Sequence, residues 1–283
     1  MTKAGQSTLG RLARHPSGLV GLLIIGLVVA MSLSAGLLFP AGPWALAGAP
    51  RTWPGVDPAF PFGTDALGRD MLAALFHGAR VSLAVGAAAA LVSLIIGTLV
   101  GAVAGYYGGR TDDVLMRFTD AMQTIPSFLA ALAIVGVIGA SLPTIILAIA
   151  IVSWPMIARL VRADFLRLRT YDFVKSCKII GMSDLRIIFG QILPNCLAPI
   201  IVSASVLVAT AIITEASLAF LGLGDPNVMS WGTILSVGRP ELRSGWYMTA
   251  FPAVALVLTV LALNLIGDAL NDVLNPRLKE RRS

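Results

Sequence analysis

Long apolar runs alternate with short polar segments along the 283 residues of the chain. Each run holds about 20 residues, the length at which a helix rising about 1.5 Å per residue crosses roughly 30 Å of hydrocarbon. Helices satisfy their own backbone hydrogen bonds, so such runs are typical of membrane-spanning helices. The pattern predicts about six spans, at residues 18–39, 81–105, 119–139, 143–162, 197–222 and 248–270.

The composition agrees with this pattern. Hydrophobic residues make up 57% of the chain and charged residues only 13%, and the mean hydropathy is +0.84. A soluble domain of this length carries far more charge, so we predict an all-α integral membrane protein within a lipid bilayer. The net charge of +6 could indicate nucleic acid, but the basic residues flank apolar runs without interleaved aromatic residues. No nucleic-acid partner is predicted.

Basic residues are distributed unevenly between the alternating segments. Translocated loops tolerate Lys and Arg poorly, so the segments rich in them are predicted to be cytoplasmic. The outward segments hold only five of the 21 Lys and Arg residues: Arg51, Arg69, Arg80, Arg239 and Arg243. Both termini are therefore predicted to be cytoplasmic, as an even number of spans requires.

This topology divides the chain into segments. Residues 1–17 form a cytoplasmic N-terminus, 40–80 an extracytoplasmic segment, 81–270 a core of five spans, and 271–283 a cytoplasmic C-terminus. Ala45-Leu46-Ala47 could pass for a signal-peptidase site, but the run 18–39 is too long for a signal-peptide core. We expect it to be retained as the first helix.

The cytoplasmic segment 163–196, between spans four and five, changes to an amphipathic pattern. One stripe holds Phe173, Cys177 and Ile180, and a second holds Leu185, Ile188, Phe189 and Ile192. Gly181 suits the end of a first helix, the Ser183 hydroxyl an N-cap, and Pro194 the end of the second helix. The pattern predicts a helix-turn-helix outside the bilayer. Its periodicity fits packing on the membrane surface and docking to a soluble partner equally well.

Three acids fall within or near predicted spans. Asp120 and Asp268 lie close to inner ends, where snorkelling or capping is expected. Glu215 lies deeper, so it is a candidate pathway residue, with a structural hydrogen bond to a neighbouring helix as the alternative. Gly97, Gly101 and Gly105 share one helical face and predict close helix packing. Pro126 and Pro155 are candidate kinks in spans three and four.

The sequence contains few residues or motifs that are typical of a catalytic or metal-binding site. The two histidines, His15 and His77, are predicted to lie on opposite sides of the membrane, and no HExxH or GxSxG motif occurs. Cys177 and Cys196 are predicted to be free thiols. We therefore assign no catalytic, cofactor-binding or metal-binding residue.

The segment from Tyr171 to Asn195 resembles the signature loop of bacterial ABC importer permeases, which carries an EAA, then Gly, then ILP pattern. Gly181 and Ile192-Leu193-Pro194 match that pattern, whereas Lys175-Ser176-Cys177 stands where Glu-Ala-Ala is usual. The resemblance implies an ATPase-coupling loop that comprises Phe173, Val174, Lys175, Ser176, Cys177, Gly181, Ser183, Asp184, Leu185, Ile192, Leu193 and Pro194.

Three further segments are similar to the C-type subunit of dipeptide, oligopeptide and nickel permeases. They are Phe62-Gly63-Thr64-Asp65 with the residues up to Leu83, Glu215-Ala216-Ser217-Leu218 up to Trp231-Gly232, and Asn264 to Asp272 with Asn275-Pro276-Arg277. Together with the loop they cover nearly all of the chain outside the first span.

This resemblance implies a pore-forming subunit of the bacterial inner membrane rather than an enzyme. Its partners would be a second permease subunit, two ATP-binding subunits and an extracytoplasmic substrate-binding protein. No GxxxxGK[ST] loop occurs, so ATP and Mg are expected on the partner ATPases. Di- and oligopeptides are the expected substrates, nickel or another small solute being the alternative. A membrane-embedded enzyme or scaffold is a less favoured hypothesis.

Overall fold

In the computed structural model, which describes residues 8–274, the chain is a bundle of long helices. Parts of the predicted termini 1–17 and 271–283, namely residues 1–7 and 275–283 with Asn275-Pro276-Arg277, lie outside the described residues. The α-helices are α1 (Thr8–Leu12), α2 (Pro16–Leu38), α3 (Met71–Tyr107), α4 (Gly109–Met122), α5 (Ser127–Ile138), α6 (Leu142–Leu168), α7 (Asp172–Ile179), α8 (Asp184–Ile187), α9 (Leu193–Leu218), α10 (Trp231–Gly238) and α11 (Tyr247–Leu274).

Five stretches of helix are long and apolar enough to cross a membrane. They are α2, α3, α6, the run from Asp184 to Leu223 that contains α9, and α11. Helices α4 and α5 are apolar enough only as a bent pair, which makes a sixth crossing if the pair is one span. The all-α membrane architecture with about six spans is confirmed.

The third predicted span, 119–139, is not one continuous helix. It is replaced by α4 and α5, whose axes differ by 75° across the break between Met122 and Ser127. Pro126 lies in that break, where it can donate no backbone hydrogen bond and disfavours a helical conformation in Ile125. Pro155, by contrast, lies within α6, which runs on from Leu142 to Leu168.

Helix α3 begins at Met71, ten residues before the predicted second span. Asp70 caps it, because its carboxylate accepts a hydrogen bond of 2.8 Å from the amide of Leu72. With 37 residues, α3 is about 55 Å long and exceeds the roughly 30 Å hydrocarbon core. The last part of the predicted 40–80 segment is therefore helical.

The predicted glycine face on α3 packs closely against α6. A β-carbon on Gly97 would lie 2.6 Å from Cβ of Ile157, and one on Gly105 would lie 2.5 Å from Cβ of Phe165. A β-carbon on Gly101 would collide with the carbonyl oxygen of Ala158. The three glycines therefore permit the close approach of the two helices, as predicted.

The fifth predicted span differs most at its beginning. Helix continues from Asp184 through a π-helical segment, Ile188–Ile192, directly into α9, so Pro194 does not end the second loop helix. The amide of Leu193 bonds the carbonyl of Ile188, five residues earlier. This wider turn accommodates a proline in the first turn of α9, where its missing amide costs little. A second π-helical segment, Ala219–Leu223, follows α9.

At one end of the bundle, the segment between α2 and α3 folds over the N-terminus of α11. The hydroxyl of buried Tyr247 lies 3.0 Å from the carbonyl oxygen of Thr52 and 2.7 Å from that of Thr64. Arg51 donates two hydrogen bonds, of 3.0 and 2.6 Å, to the carboxylate of Glu241. We call residues 39–70 with 224–246 the cap.

The opposite end carries the loop α7–α8 and both ends of the described chain. Nε2 of His15 lies 3.3 Å from Oδ2 of Asp272, and a β-carbon on Gly18 would lie 3.1 Å from Cβ of Ala269. The helices that follow run alternately away from this end and back to it. We call it the loop end; its assignment to the cytoplasm stays a prediction from charge.

Candidate functional site

The loop between α6 and α9 is anchored to the bundle by a buried inner face. Val174, Ile187 and Ile192 are fully buried, and Ile188 nearly so. They pack in one cluster with Phe165 of α6 and with residues of α3 and α9. Leu193 packs at the edge of this cluster, whereas Pro194 is exposed. The loop is thus held firmly by apolar burial.

Its outer face is apolar and exposed. Ile179 is 85% exposed, Ile180 75% and Leu185 67%, and Phe173 and Phe189 are also exposed. They are distributed along α7, the turn, α8 and the π-helical segment that follows. An apolar surface at the tip of a polar loop is typical of a site that a partner protein covers. We call these five residues the loop tip.

The residues of the predicted stripe Phe173, Cys177 and Ile180 differ in burial. Cys177 packs at the edge of the buried cluster, but Phe173 and Ile180 belong to the exposed tip, and Val174 is the residue that faces the bundle. Similarly, Leu185 and Phe189 are exposed while Ile188 and Ile192 are buried. Two apolar faces run along this loop, so periodicity alone does not show which one faces inward.

Gly181 makes the turn between α7 and α8. Its φ of +77° is left-handed, and its amide donates a hydrogen bond of 3.1 Å to the carbonyl of Lys178. This agrees with the predicted glycine stop of α7. Ser183 occupies the N-cap position of α8, but its hydroxyl makes no capping hydrogen bond, contrary to the prediction.

Two of the three residues that replace Glu-Ala-Ala, Lys175 and Ser176, lie on the outside of α7. Nζ of Lys175 is 3.0 Å from Oδ1 of Asp172, with both side chains largely exposed, and Ser176 is also exposed. An exposed ion pair of this kind contributes little to stability. Lys175 and Ser176 are therefore available to a partner.

Tyr106, which no sequence pattern singles out, connects the loop to α3. Its hydroxyl donates a hydrogen bond of 2.5 Å to Oδ1 of Asp184, and Nζ of Lys178 lies 4.8 Å from the centre of its ring. Arg169 donates a hydrogen bond of 3.3 Å to the Tyr106 carbonyl oxygen. A tyrosine in an apolar span gives no sequence signal for a partner 78 residues away.

Two arginines of α6 bind acids of α4. The guanidinium of Arg162 donates two hydrogen bonds to the carboxylate of Asp112, of which only 11% is exposed. Arg159 donates one of 2.7 Å to the more exposed Asp120. These two ion pairs hold α4 against α6, on the α4 side of the break between α4 and α5.

Glu215 lies inside the subunit and is 3% exposed. The hydroxyls of Ser82 on α3 and Ser230 before α10 are its hydrogen-bonding neighbours, while its Oε2 has no hydrogen-bond partner among the described residues. Ser82 also accepts a hydrogen bond of 3.2 Å from the amide of Trp231. The carboxyl group thus sits where α9, α3 and the cap meet. Its role as a pathway residue stays a prediction.

A groove of about 250 Å³ opens between α5, α6 and α9. Its apolar walls are interrupted by uncharged polar side chains, and it ends at the break between α4 and α5. Lining residues are Gln123, Ser127, Phe128, Val152, Ser153, Met156, Val206, Leu207, Thr210 and Thr214. Polar side chains in the middle of spans are costly against lipid, so this face is expected to meet water, substrate or protein.

Comparison with known proteins covers nearly the whole chain. Residues 97–280 match the family described as binding-protein-dependent transport system inner membrane component. A putative peptide transport system permease protein of Brucella abortus is 41% identical, over 96% of this chain and 92% of that protein. The di/tripeptide transport system permease protein DppC of Pseudomonas aeruginosa is 40% identical, over 94% of this chain and 90% of that protein.

The fold also has a solved counterpart. A chain of the MetNI methionine ABC transporter, in inward-facing conformations, superposes with a TM-score of 0.59. The alignment covers 72% of this chain and 97% of that one, at 19% identity. At this identity the likeness concerns the fold.

Proposed function

The chain belongs to the family of binding-protein-dependent transport system inner membrane components, and on that premise we propose that it forms half of the translocation pathway of an ATP-driven peptide importer. It is a multi-pass protein of the bacterial inner membrane. The peptide substrate is proposed from relatives that are named for peptide and di/tripeptide transport. Neither name supports the nickel alternative.

The observation on which this proposal rests is the loop α7–α8, buried on one face and apolar on the other. We propose that the loop tip docks on a partner ATPase, with ATP and Mg bound there and not on this chain. Closure of two such ATPases would displace the loop and shift the spans between inward-open and outward-open states. A second permease subunit would complete the pathway, and an extracytoplasmic binding protein would deliver peptide at the cap.

In this assignment the loop end faces the cytoplasm and the cap faces outward. The excess of basic residues near the loop end supports this orientation. The exposed Lys175 and Ser176 would lie at the border of the ATPase contact, where a lysine in place of the usual glutamate selects an acidic partner residue. Crosslinks from cysteines at Ser176 or Ser183 to the ATPase test the contact directly.

Gly181 provides the functional test. A β-carbon there meets no neighbour, so Gly181→Val perturbs the turn only through its left-handed φ. We expect the complete transporter in proteoliposomes to lose at least about tenfold in ATP-dependent uptake of labelled dipeptide with this substitution. Gly181→Asn should retain uptake, because asparagine tolerates this backbone conformation.

The matched control is Gly26→Val, at a helical glycine of α2 where a β-carbon also meets no neighbour. Uptake that is unaffected by Gly181→Val would contradict coupling through this loop. Uptake of nickel but not of peptide by the unmodified transporter would correct the substrate.

A further inference from the structure

Among the described residues, the groove between α5, α6 and α9 is lined by apolar and uncharged polar side chains. Within the described residues, no acidic or basic side chain lines it, although Arg159 and Asp120 pair elsewhere on α6 and α4. A surface without charge neither attracts nor repels the side-chain charges of a passing solute. Whatever it binds must therefore be recognised through neutral hydrogen bonds.

Two threonines on α9 offer acceptors to this groove. Oγ1 of Thr210 donates a hydrogen bond of 2.9 Å to the carbonyl of Val206, and Oγ1 of Thr214 donates one of 2.8 Å to the carbonyl of Thr210. Each hydroxyl proton is thereby occupied, so only oxygen lone pairs remain for a ligand. The two residues are four apart and share a helix face, with a rise of about 6 Å between them.

The opposite walls supply further hydrogen-bonding groups. Gln123, Ser127 and Ser153 make no side-chain hydrogen bond to any residue that the structure describes. Ser127 is exposed and Gln123 and Ser153 are half-buried, so their polar groups are accessible to a polar molecule that enters the groove.

We propose that Thr210 and Thr214 are specificity-determining residues that accept hydrogen bonds from the backbone N–H groups of a peptide as it passes through this groove. N–H groups are common to peptides of any sequence, whereas the uncharged walls of the groove do not discriminate between peptides by the charge of their side chains. The subunit thus accepts peptides as a class. This inference rests on the proposed peptide transport.

The test compares Thr210→Val/Thr214→Val with the unmodified complete transporter in proteoliposomes. The probes are labelled Ala-Ala-Ala, Ala-Lys-Ala and Ala-Glu-Ala, delivered by the binding protein. Valine keeps the shape of threonine but removes the acceptor. We expect the maximal uptake rate to fall about tenfold for all three peptides, as the loss of two hydrogen bonds predicts, with KM unchanged. Thr210→Ser/Thr214→Ser keeps both acceptors and should retain the rate.

Thr259→Val is the matched control, because this threonine bonds the carbonyl of Ala255 in the same way but is fully buried in α11. It should change the rate by less than about twofold. An unchanged rate in the double valine variant, or a loss confined to one charge class, would overturn the inference. Failure of the variant to assemble with its partner subunits would overturn it too and assign the threonines to a subunit interface. If the unmodified transporter takes up none of the three peptides, the proposed function itself fails.

Discussion

The hydroxyl of Tyr106 donates a 2.5 Å hydrogen bond to Oδ1 of Asp184, joining the last turn of α3 to the first residue of α8. Because α3 also packs along α6 through its glycine face, this bond connects the loop to the tightly packed part of the bundle. A displacement of the loop is then expected to reach α3 as well as α9.

Tyr106→Phe removes this bond while keeping the ring that Lys178 covers. We expect the number of peptides transported per ATP hydrolysed to fall about threefold to tenfold, since a hydrogen bond to a carboxylate contributes about 1.5–3 kcal/mol and this one is partly exposed. The ratio is measured in proteoliposomes from parallel uptake and phosphate release. Tyr107→Phe is the control, because Tyr107 is exposed and its hydroxyl has no described partner. An unaltered ratio in Tyr106→Phe would exclude this route.

Asp112→Asn weakens the two-bond ion pair with Arg162. Because the carboxylate is mostly buried, we expect a loss of about 2 kcal/mol in stability, from a charge left without its full partner. Thermal unfolding of the purified chain in detergent measures the loss. Asp120→Asn breaks the exposed pair with Arg159 and should cost about 0.5 kcal/mol or less. Equal losses in the two variants would contradict the role of burial.

The ion pair between Arg51 and Glu241 in the cap is expected to make the stability of the chain depend on pH. Hydrogen bonds from Arg51 and Ser244 hold the pKa of Glu241 below its usual range. Its contribution to stability is therefore present above the ordinary carboxyl pKa of about 4.3 and is lost as pH falls through the lowered pKa. The difference in thermal midpoint between the unmodified chain and Glu241→Gln should be constant near neutral pH and vanish in acid. A difference that persists at low pH would show that the charge is not its source.

Gly97→Ala tests the contact between α3 and α6. The new β-carbon would lie 2.6 Å from Cβ of Ile157 and 2.7 Å from the carbonyl oxygen of Trp154, so the helices must separate. We expect a loss of about 1–3 kcal/mol by thermal unfolding. Gly136→Ala, at a helical glycine of α5 whose β-carbon would meet nothing, should be neutral or stabilising by about 1 kcal/mol or less. A neutral Gly97→Ala would mean that the two helices adapt freely.

The sequence predicted those parts of the structure that depend on local composition. Apolar run length gave the number of spans, proline chemistry pointed to the break at Pro126, and the conformational freedom of glycine located the turn at Gly181. The predicted helix boundaries were wrong where a helix continues beyond the apolar run, as at Met71. Hydropathy reports whether a segment prefers lipid or water, and not where its backbone hydrogen bonds end. Pro194 misled for a related reason: a proline in the first turn of a helix does not end it.

The pattern of apolar and polar residues along the sequence did not predict contacts between distant residues. Nothing in the sequence pairs Tyr106 with Asp184, or Asp112 with Arg162, because helix packing brings each pair together. Thr210 and Thr214 gave no signal either, since a threonine in a span commonly bonds its own helix.

The fusion of α8 to α9 means that the loop and the groove belong to one continuous run of helix. Helix is continuous from Asp184 to Leu218, about 50 Å, with Leu185 near one end and Thr214 near the other. A rod that pivots near its middle acts as a lever, and a tilt of about 10° moves each end by roughly 4 Å in opposite directions. Displacement of the loop on one side of the membrane would thus widen or narrow the groove on the other.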